Sequence, residues 1–125
     1  MVIPSQVTRE GERKLAAVRK AIGDSVKIIV DANQRLDVHT NVRLGNAIEP
    51  YDIFWYEEPV YADNIGQCAE VARRINIPVA TGENEYTRYG FRDLVEQKAA
   101  AIPRVPIPHA DPRCRRPADP QSSEH

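Results

Sequence analysis

Apolar residues follow two spacings along this chain, one typical of amphipathic helices and one typical of buried strands. The segment Thr8–Ile22 places its apolar residues on one helical face, with Thr8 as a candidate N-cap and Gly23 as a candidate C′ residue. The short run Val26–Val30 that follows is almost wholly apolar and rich in β-branched residues, which is typical of a strand covered on both faces. The pattern predicts a helix followed by a buried strand.

The same order of helix and strand recurs as far as Ala101. The predicted elements are a helix capped by Asp37 and ending at Ile48, a strand at Ile53–Tyr56, a helix opened by Asp63 or Asn64, a strand at Pro78–Thr81 and a helix capped by Thr87. This alternation predicts an α/β fold in which about three parallel strands are joined by right-handed crossovers through flanking helices. Ligands of such folds bind at the carboxyl ends of the strands.

Three acidic residues stand at those strand ends: Asp31 in KIIVDAN, Glu57 in IFWYEEP and Glu83 in PVATGEN. The two intervals between them are both 26 residues. A repeat of strand, loop, helix and loop takes roughly 25 to 40 residues, so equal spacing predicts that the three carboxylates lie at the same end of three successive strands. Carboxylates gathered there repel one another unless they are protonated or bind a cation. The spacing predicts a divalent metal site.

Composition and charge argue against several classes to which this protein could belong. A chain of 125 residues with 42% hydrophobic residues is long enough for one globular domain with a core. The net charge of −1 argues against a nucleic-acid partner. The sequence has no apolar h-region at its start and no run near the roughly 18 apolar residues of a membrane span, which predicts a cytoplasmic protein without a membrane partner. Cys68 and Cys114 fit neither a disulfide framework nor a metal motif, and both are predicted to be free thiols.

The chain divides into two predicted regions. Residues 1–102 carry the helix and strand pattern, whereas residues 103–125 hold six of the ten prolines and show no apolar periodicity. Each proline removes a backbone donor and restricts the residue before it. The second region is therefore predicted to be an irregular or disordered tail.

VDANQ, WYEEP and TGEN, in this order and at this spacing, resemble the metal-binding strand ends of the enolase superfamily, in its mandelate racemase and muconate lactonizing branch. The resemblance implies a TIM-type barrel in which Asp31, Glu57 and Glu83 bind one Mg²⁺. It further implies proton abstraction next to the carboxylate of a small acid, most similar to an acid sugar, followed by racemisation, cycloisomerisation or loss of water. Weaker candidates near this site are Asn33 and Glu58, as residues that orient the ligands or face the substrate.

The chain also departs from that family. MVIPSQV, upstream of the first helix, contains no lysine where the family carries one, and His109 and Asp111 lie in a proline-rich context unlike the family's base pair. We therefore expect an incomplete, partial TIM-type barrel that is inactive alone. The alternative is a non-catalytic product, either decayed or serving as a small metal-binding or interaction module. Two open sheet edges would favour homo-oligomers or aggregation.

Overall fold

A computed structural model describes residues 4–103 of the chain. The helices are α1 (Pro4–Ile22), α2 (Val38–Ile48), α3 (Ile65–Arg74) and α4 (Arg88–Glu96), and the strands are β1 (Ile28–Asp31), β2 (Ile53–Glu57), β3 (Val79–Thr81) and β4 (Ile102–Pro103). A short 3₁₀ turn, Glu49–Tyr51, connects α2 to β2. The predicted alternation of helix and strand is confirmed.

The strands form one parallel sheet in the order β1-β2-β3-β4. The described residues thus contain four strands, where the sequence predicted about three. Pro103 was predicted to belong to the irregular tail, but it is the second residue of β4 and pairs with Thr81. Strand β4 is last in the sheet order, and edge strands tolerate proline because its missing N–H breaks no ladder on the open side. The rest of the predicted tail, with His109, Asp111 and Cys114, lies outside the described residues.

Local sequence signals explain most of the helix ends. The side chains of Asp37, Asn64 and Thr87 each accept a hydrogen bond from a backbone N–H in the first turn of the helix that follows, as N-caps do. Gly23 follows α1 with a φ of 72°, a conformation that suits a glycine at C′. The prediction of Thr8 as an N-cap was wrong. Helix α1 already begins at Pro4, because proline is preorganised for a first helical position, and the Thr8 hydroxyl donates to the Pro4 carbonyl at 2.9 Å.

The core lies between the helices and one face of the sheet. Its fully buried members include Ile48 of α2, Tyr56 of β2 and Val71 of α3. On the other face, which we call the helix-free face, Ile29 of β1 is 47% exposed. The described residues therefore leave this face of β1 open, although β1 was predicted to be covered on both faces. Strand β3 differs, since all three of its residues are buried.

Two further predictions concern the thiol of Cys68 and the presence of membrane spans. Cys68 is a buried free thiol, as predicted. Burial, together with the negative charge of Glu58, raises the pKa of this thiol to about 12. No helix within residues 4–103 combines the length and the apolar character that a membrane crossing requires.

Candidate metal centre

The backbone brings the ends of β1, β2 and β3 to one edge of the sheet. Asp31 is the register partner of Glu57, and Glu57 in turn is the partner of Ala80. Glu83 follows two residues after the end of β3, in the loop that leads to α4. The three acidic positions therefore stand at the carboxyl ends of three adjacent parallel strands.

Alternation along the strands directs Asp31 and Glu57 to the helix-free face. Tyr56 points the other way, since its hydroxyl donates to the Asn41 side chain of α2 at 2.7 Å. Its neighbour Glu57 shares a face with Trp55, whose indole Nε1 donates to Glu57 Oε2 at 3.1 Å. Glu57 is only 7% exposed, and a carboxylate so buried requires donors of this kind.

The three carboxylates differ in their surroundings. Asp31 and Glu83 are exposed, whereas Glu57 is buried. Asp31 Oδ1 accepts the backbone N–H of Asn33 at 2.7 Å, which turns this carboxylate towards its own loop. Among residues 4–103, no three histidine, cysteine, aspartate or glutamate side chains are grouped closely enough to hold a metal ion. The strand ends are adjacent, but the side chains do not converge in this conformation.

The donor set nevertheless suits Mg²⁺. This ion prefers oxygen ligands, and all three candidates are carboxylates on adjacent strand ends. Asp31 and Glu83 are exposed, so the protein interior does not confine their side chains. The assignment of Asp31, Glu57 and Glu83 as ligands stays a prediction.

Three of the five non-glycine residues with positive φ among the described residues lie at the same edge. Asn33, Gln34 and Glu58 have φ values of 50°, 57° and 46°, in the left-handed region that non-glycine residues rarely adopt. Gly82, just before Glu83, has a φ of 115°. Residues in such conformations persist only where their surroundings hold them, and they are concentrated at functional sites.

Glu58 is the most strongly held of these residues. Its side chain is buried and accepts three hydrogen bonds, from Gln34 Nε2 at 3.0 Å, Thr81 Oγ1 at 3.1 Å and the Gly82 N–H at 3.1 Å. Gln34 lies in the loop after β1, Thr81 is the last residue of β3, and Gly82 directly follows it. Asn33, the other weak candidate, is exposed, and its N–H holds Asp31.

The hydrogen bond from Trp55 to Glu57 was not predicted from the sequence. The signal lay in the spacing Trp-x-Glu, since residues two apart in a strand share a face. The sequence contains no comparable signal for the hydrogen bond between Gln34 and Glu58, because this bond depends on a loop conformation with positive φ.

The chain has an α/β fold with a parallel sheet and acidic residues at the carboxyl ends of its strands. This is the fold of part of a TIM-type barrel. A family model described as "Enolase C-terminal domain-like" matches residues 3–111. The chain therefore belongs to this family, as the three motifs predicted.

The similarity extends to characterised proteins and to a solved structure. The chain is 43% identical over 74 residues to L-talarate/galactarate dehydratase of Salmonella typhimurium, covering 59% of this chain and 19% of the relative. It is 33% identical over 99 residues to 3,6-anhydro-alpha-L-galactonate cycloisomerase of Streptomyces coelicolor, covering 79% and 27%. A racemase from Streptomyces coelicolor A3(2), solved with bound magnesium, matches with a TM-score of 0.74 and 32% identity, covering 77% and 27%. The chain thus spans about a quarter or less of the length of these proteins.

Proposed function

We propose that this chain carries the metal-ligand segment of a Mg²⁺-dependent lyase or isomerase that acts on a small carboxylate, most closely an acid sugar. The single observation that carries the proposal is the register of the strand ends, in which Asp31 is paired with Glu57 and Glu83 follows the next strand. The dehydratase, the cycloisomerase and the magnesium-containing racemase to which the chain is similar support the same class.

Each residue would have a separate task in such a site. Asp31, Glu57 and Glu83 would hold Mg²⁺, which when bound supplies positive charge next to the substrate carboxylate and so favours loss of the adjacent proton. Glu57 is held by Trp55 and would define the centre of the site. Asp31 and Glu83 would complete it from either side. No residue of this chain is proposed as the base.

Binding of Mn²⁺, a paramagnetic substitute for Mg²⁺, tests the proposal in the 125-residue chain. Electron paramagnetic resonance measures free Mn²⁺ during a titration, and the fluorescence of Trp55, the chain's one tryptophan, reports binding beside Glu57. We expect saturable binding that is lost in Glu57→Gln. Glu96→Gln is the matched control, because it makes the same change on an exposed face of α4. Equal binding by the two variants would contradict the proposed site.

A non-catalytic role is the second candidate, and one observation favours it: within the described residues the three carboxylates are not already grouped. This candidate predicts no dehydration of an acid sugar by the 125-residue chain in Mg²⁺, even where Mn²⁺ binds. Measurable turnover that disappears in Glu57→Gln would instead establish a lyase. Loss of the starting acid and formation of its keto acid can be followed by proton NMR.

We also propose that the 125-residue chain self-associates. Ile29 is exposed on the helix-free face, Phe54 of β2 is also exposed, and strands β1 and β4 stand at the two ends of the sheet order. Parallel sheets are ordinarily covered on both faces, and open edges are templates for pairing. Light scattering after size exclusion would give the mass, and a monomer at high micromolar concentration would contradict this expectation.

A further inference from the structure

The carboxylate of Glu58 is the point at which the loops after β1 and β3 meet. Oε2 accepts from the Gln34 side chain, and Oε1 accepts from the Thr81 hydroxyl and the Gly82 N–H. The main chain adds two bonds, from Gln34 N–H to the Glu58 carbonyl at 2.9 Å and from Glu58 N–H to the Ala80 carbonyl at 2.9 Å. Residue 58 therefore makes five hydrogen bonds to the two neighbouring strand ends.

These bonds hold an arrangement that is costly in itself. Glu58 is 2% exposed and has a φ of 46°. A non-glycine residue in the left-handed region is strained, and burying a carboxylate adds a further penalty unless donors surround it. Hydrogen bonds to charged groups are the stronger kind, so three donors on one carboxylate offset these costs. Replacing this side chain should therefore affect both loops at once.

Glu58 points away from the helix-free face. Its partner Thr81 is buried, and its charge acts on the Cys68 thiol of α3, on the helix side of the sheet. Glu57, its neighbour, is bonded to Trp55 on the opposite face. This arrangement excludes Glu58 as a residue facing a substrate on the helix-free side.

The structure assigns to Glu58 the role of a positioning residue that fixes the Asp31 loop and the Gly82–Glu83 turn relative to each other, and through them the outer two proposed metal ligands. Gln34 lies three residues after Asp31, and Gly82 directly precedes Glu83. The expected effect of Glu58 on metal binding rests on the proposed metal site. The tie between the two loops exists without metal and can be measured separately.

The test compares Glu58→Met with Glu58→Gln in the 125-residue chain. Methionine is unbranched and similar in length but leaves the three donors without their acceptor, whereas glutamine keeps an acceptor for Thr81 and Gly82, and the Gln34 amide can turn to accept from it. Thr81→Val removes one donor only, and it replaces Glu58→Met as the test variant if Glu58→Met does not fold.

The first measurement is amide hydrogen exchange by NMR without metal. We expect faster exchange at both Gln34 and Gly82 in Glu58→Met, an effect in the same direction at Gly82 in Thr81→Val, and nearly unchanged rates in Glu58→Gln. Exchange at distant amides of α1 serves as the reference for overall stability. Unchanged rates at either loop, relative to that reference, would overturn the tie.

The second measurement is the dissociation constant for Mn²⁺, under conditions in which each variant is fully folded. Loss of a residue that orients metal ligands typically weakens binding by about 10- to 100-fold, which we expect for Glu58→Met, with Glu58→Gln within about threefold of the wild type. Loosened loops with an unchanged Mn²⁺ affinity would overturn the positioning role, because a merely structural residue would give that result. A wild-type chain that binds no Mn²⁺ would instead overturn the proposed metal site, and the exchange rates would still decide whether Glu58 ties the loops.

Discussion

Arg19 lies at the end of the sheet opposite the candidate metal centre. We expect removal of its side chain to destabilise the fold. Its guanidinium donates to four backbone carbonyls. Nε and Nη2 reach Tyr51 at 3.0 and 2.9 Å, Nη2 also reaches Asp52 at 2.9 Å, and Nη1 reaches Gly23 and Val26 at 2.9 and 2.7 Å. The side chain thus links the end of α1, the loop to β1 and the turn before β2.

The size of the effect follows from the burial of these bonds. The two bonds to Tyr51 are partly buried, and the other three are exposed. A net contribution of about 1 kcal/mol for each partly buried bond and about 0.3 to 0.5 kcal/mol for each exposed one gives about 3 kcal/mol. Ordering a long side chain costs up to about 2 kcal/mol, although packing in α1 limits this loss. We expect Arg19→Met to lower the free energy of unfolding by about 2 kcal/mol.

Urea unfolding followed by Trp55 fluorescence measures this change. With a slope of about 1 to 2 kcal/mol per molar urea, the midpoint should fall by about 1 to 2 M. Arg13→Met is the matched control, because Arg13 lies on the same helix but its side chain is 70% exposed and, within residues 4–103, pairs with Glu10 alone. A surface pair of this kind contributes at most about 1 kcal/mol. Equal midpoints for the two variants would refute the reasoning. They would show that the five hydrogen bonds of Arg19 contribute no more to stability than the surface pair of Arg13.

Three further changes test the packing and capping of the fold. Tyr56→Phe should lower the free energy of unfolding by about 1 to 3 kcal/mol, because it removes the donor to the buried side-chain oxygen of Asn41, and urea unfolding measures it. Asp37→Ala should cost about 1 kcal/mol at neutral pH. Hydrogen bonds from Thr40 lower the pKa of Asp37, so this cost should be complete above the usual value of 3.8 and narrow as pH falls through the lowered pKa; a difference independent of pH would contradict the charged cap. Gly45→Ala should destabilise by about 1 kcal/mol or more in thermal unfolding, because the new Cβ would lie 2.7 Å from a buried isoleucine at the end of α3, whereas Gly66→Ala meets nothing within 4 Å and should stabilise.

Sequence patterns predicted the fold well where a signal is local. N-caps at Asp37, Asn64 and Thr87 are read from residue type and from the periodic segment that follows each of them. The parallel sheet followed from the alternation of elements, since each crossover helix returns the chain to the same end.

Predictions failed where tertiary pairing decides the structure. The proline-rich run after Ala101 shows no apolar periodicity, and β4 forms because β3 offers an edge with which Ile102 and Pro103 pair. The start of α1 at Pro4 was missed because a proline interrupts a helix in its interior but suits its first position.

The candidate site shows the same division between local and tertiary signals. Equal spacing predicted that Asp31, Glu57 and Glu83 belong to neighbouring strand ends, and the backbone register agrees for the first two, with the third in the loop after β3. Spacing carries no information on side-chain direction. The turn of Asp31 onto the Asn33 N–H depends on the conformation of the loop after β1, which the spacing does not indicate.

The pair Glu57-Glu58 illustrates how two identical residues acquire different surroundings. Glu57 is the last residue of β2 and meets Trp55 on the helix-free face, whereas Glu58 follows the strand with a φ of 46° and meets Thr81 on the helix side. Glu57 is bonded to an aromatic donor that fixes its direction, and Glu58 is bonded to three donors from two other strand ends. A change at Glu57 should therefore remove a proposed ligand and leave the loops in place, whereas a change at Glu58 should leave the proposed ligands present and loosen the loops that carry two of them.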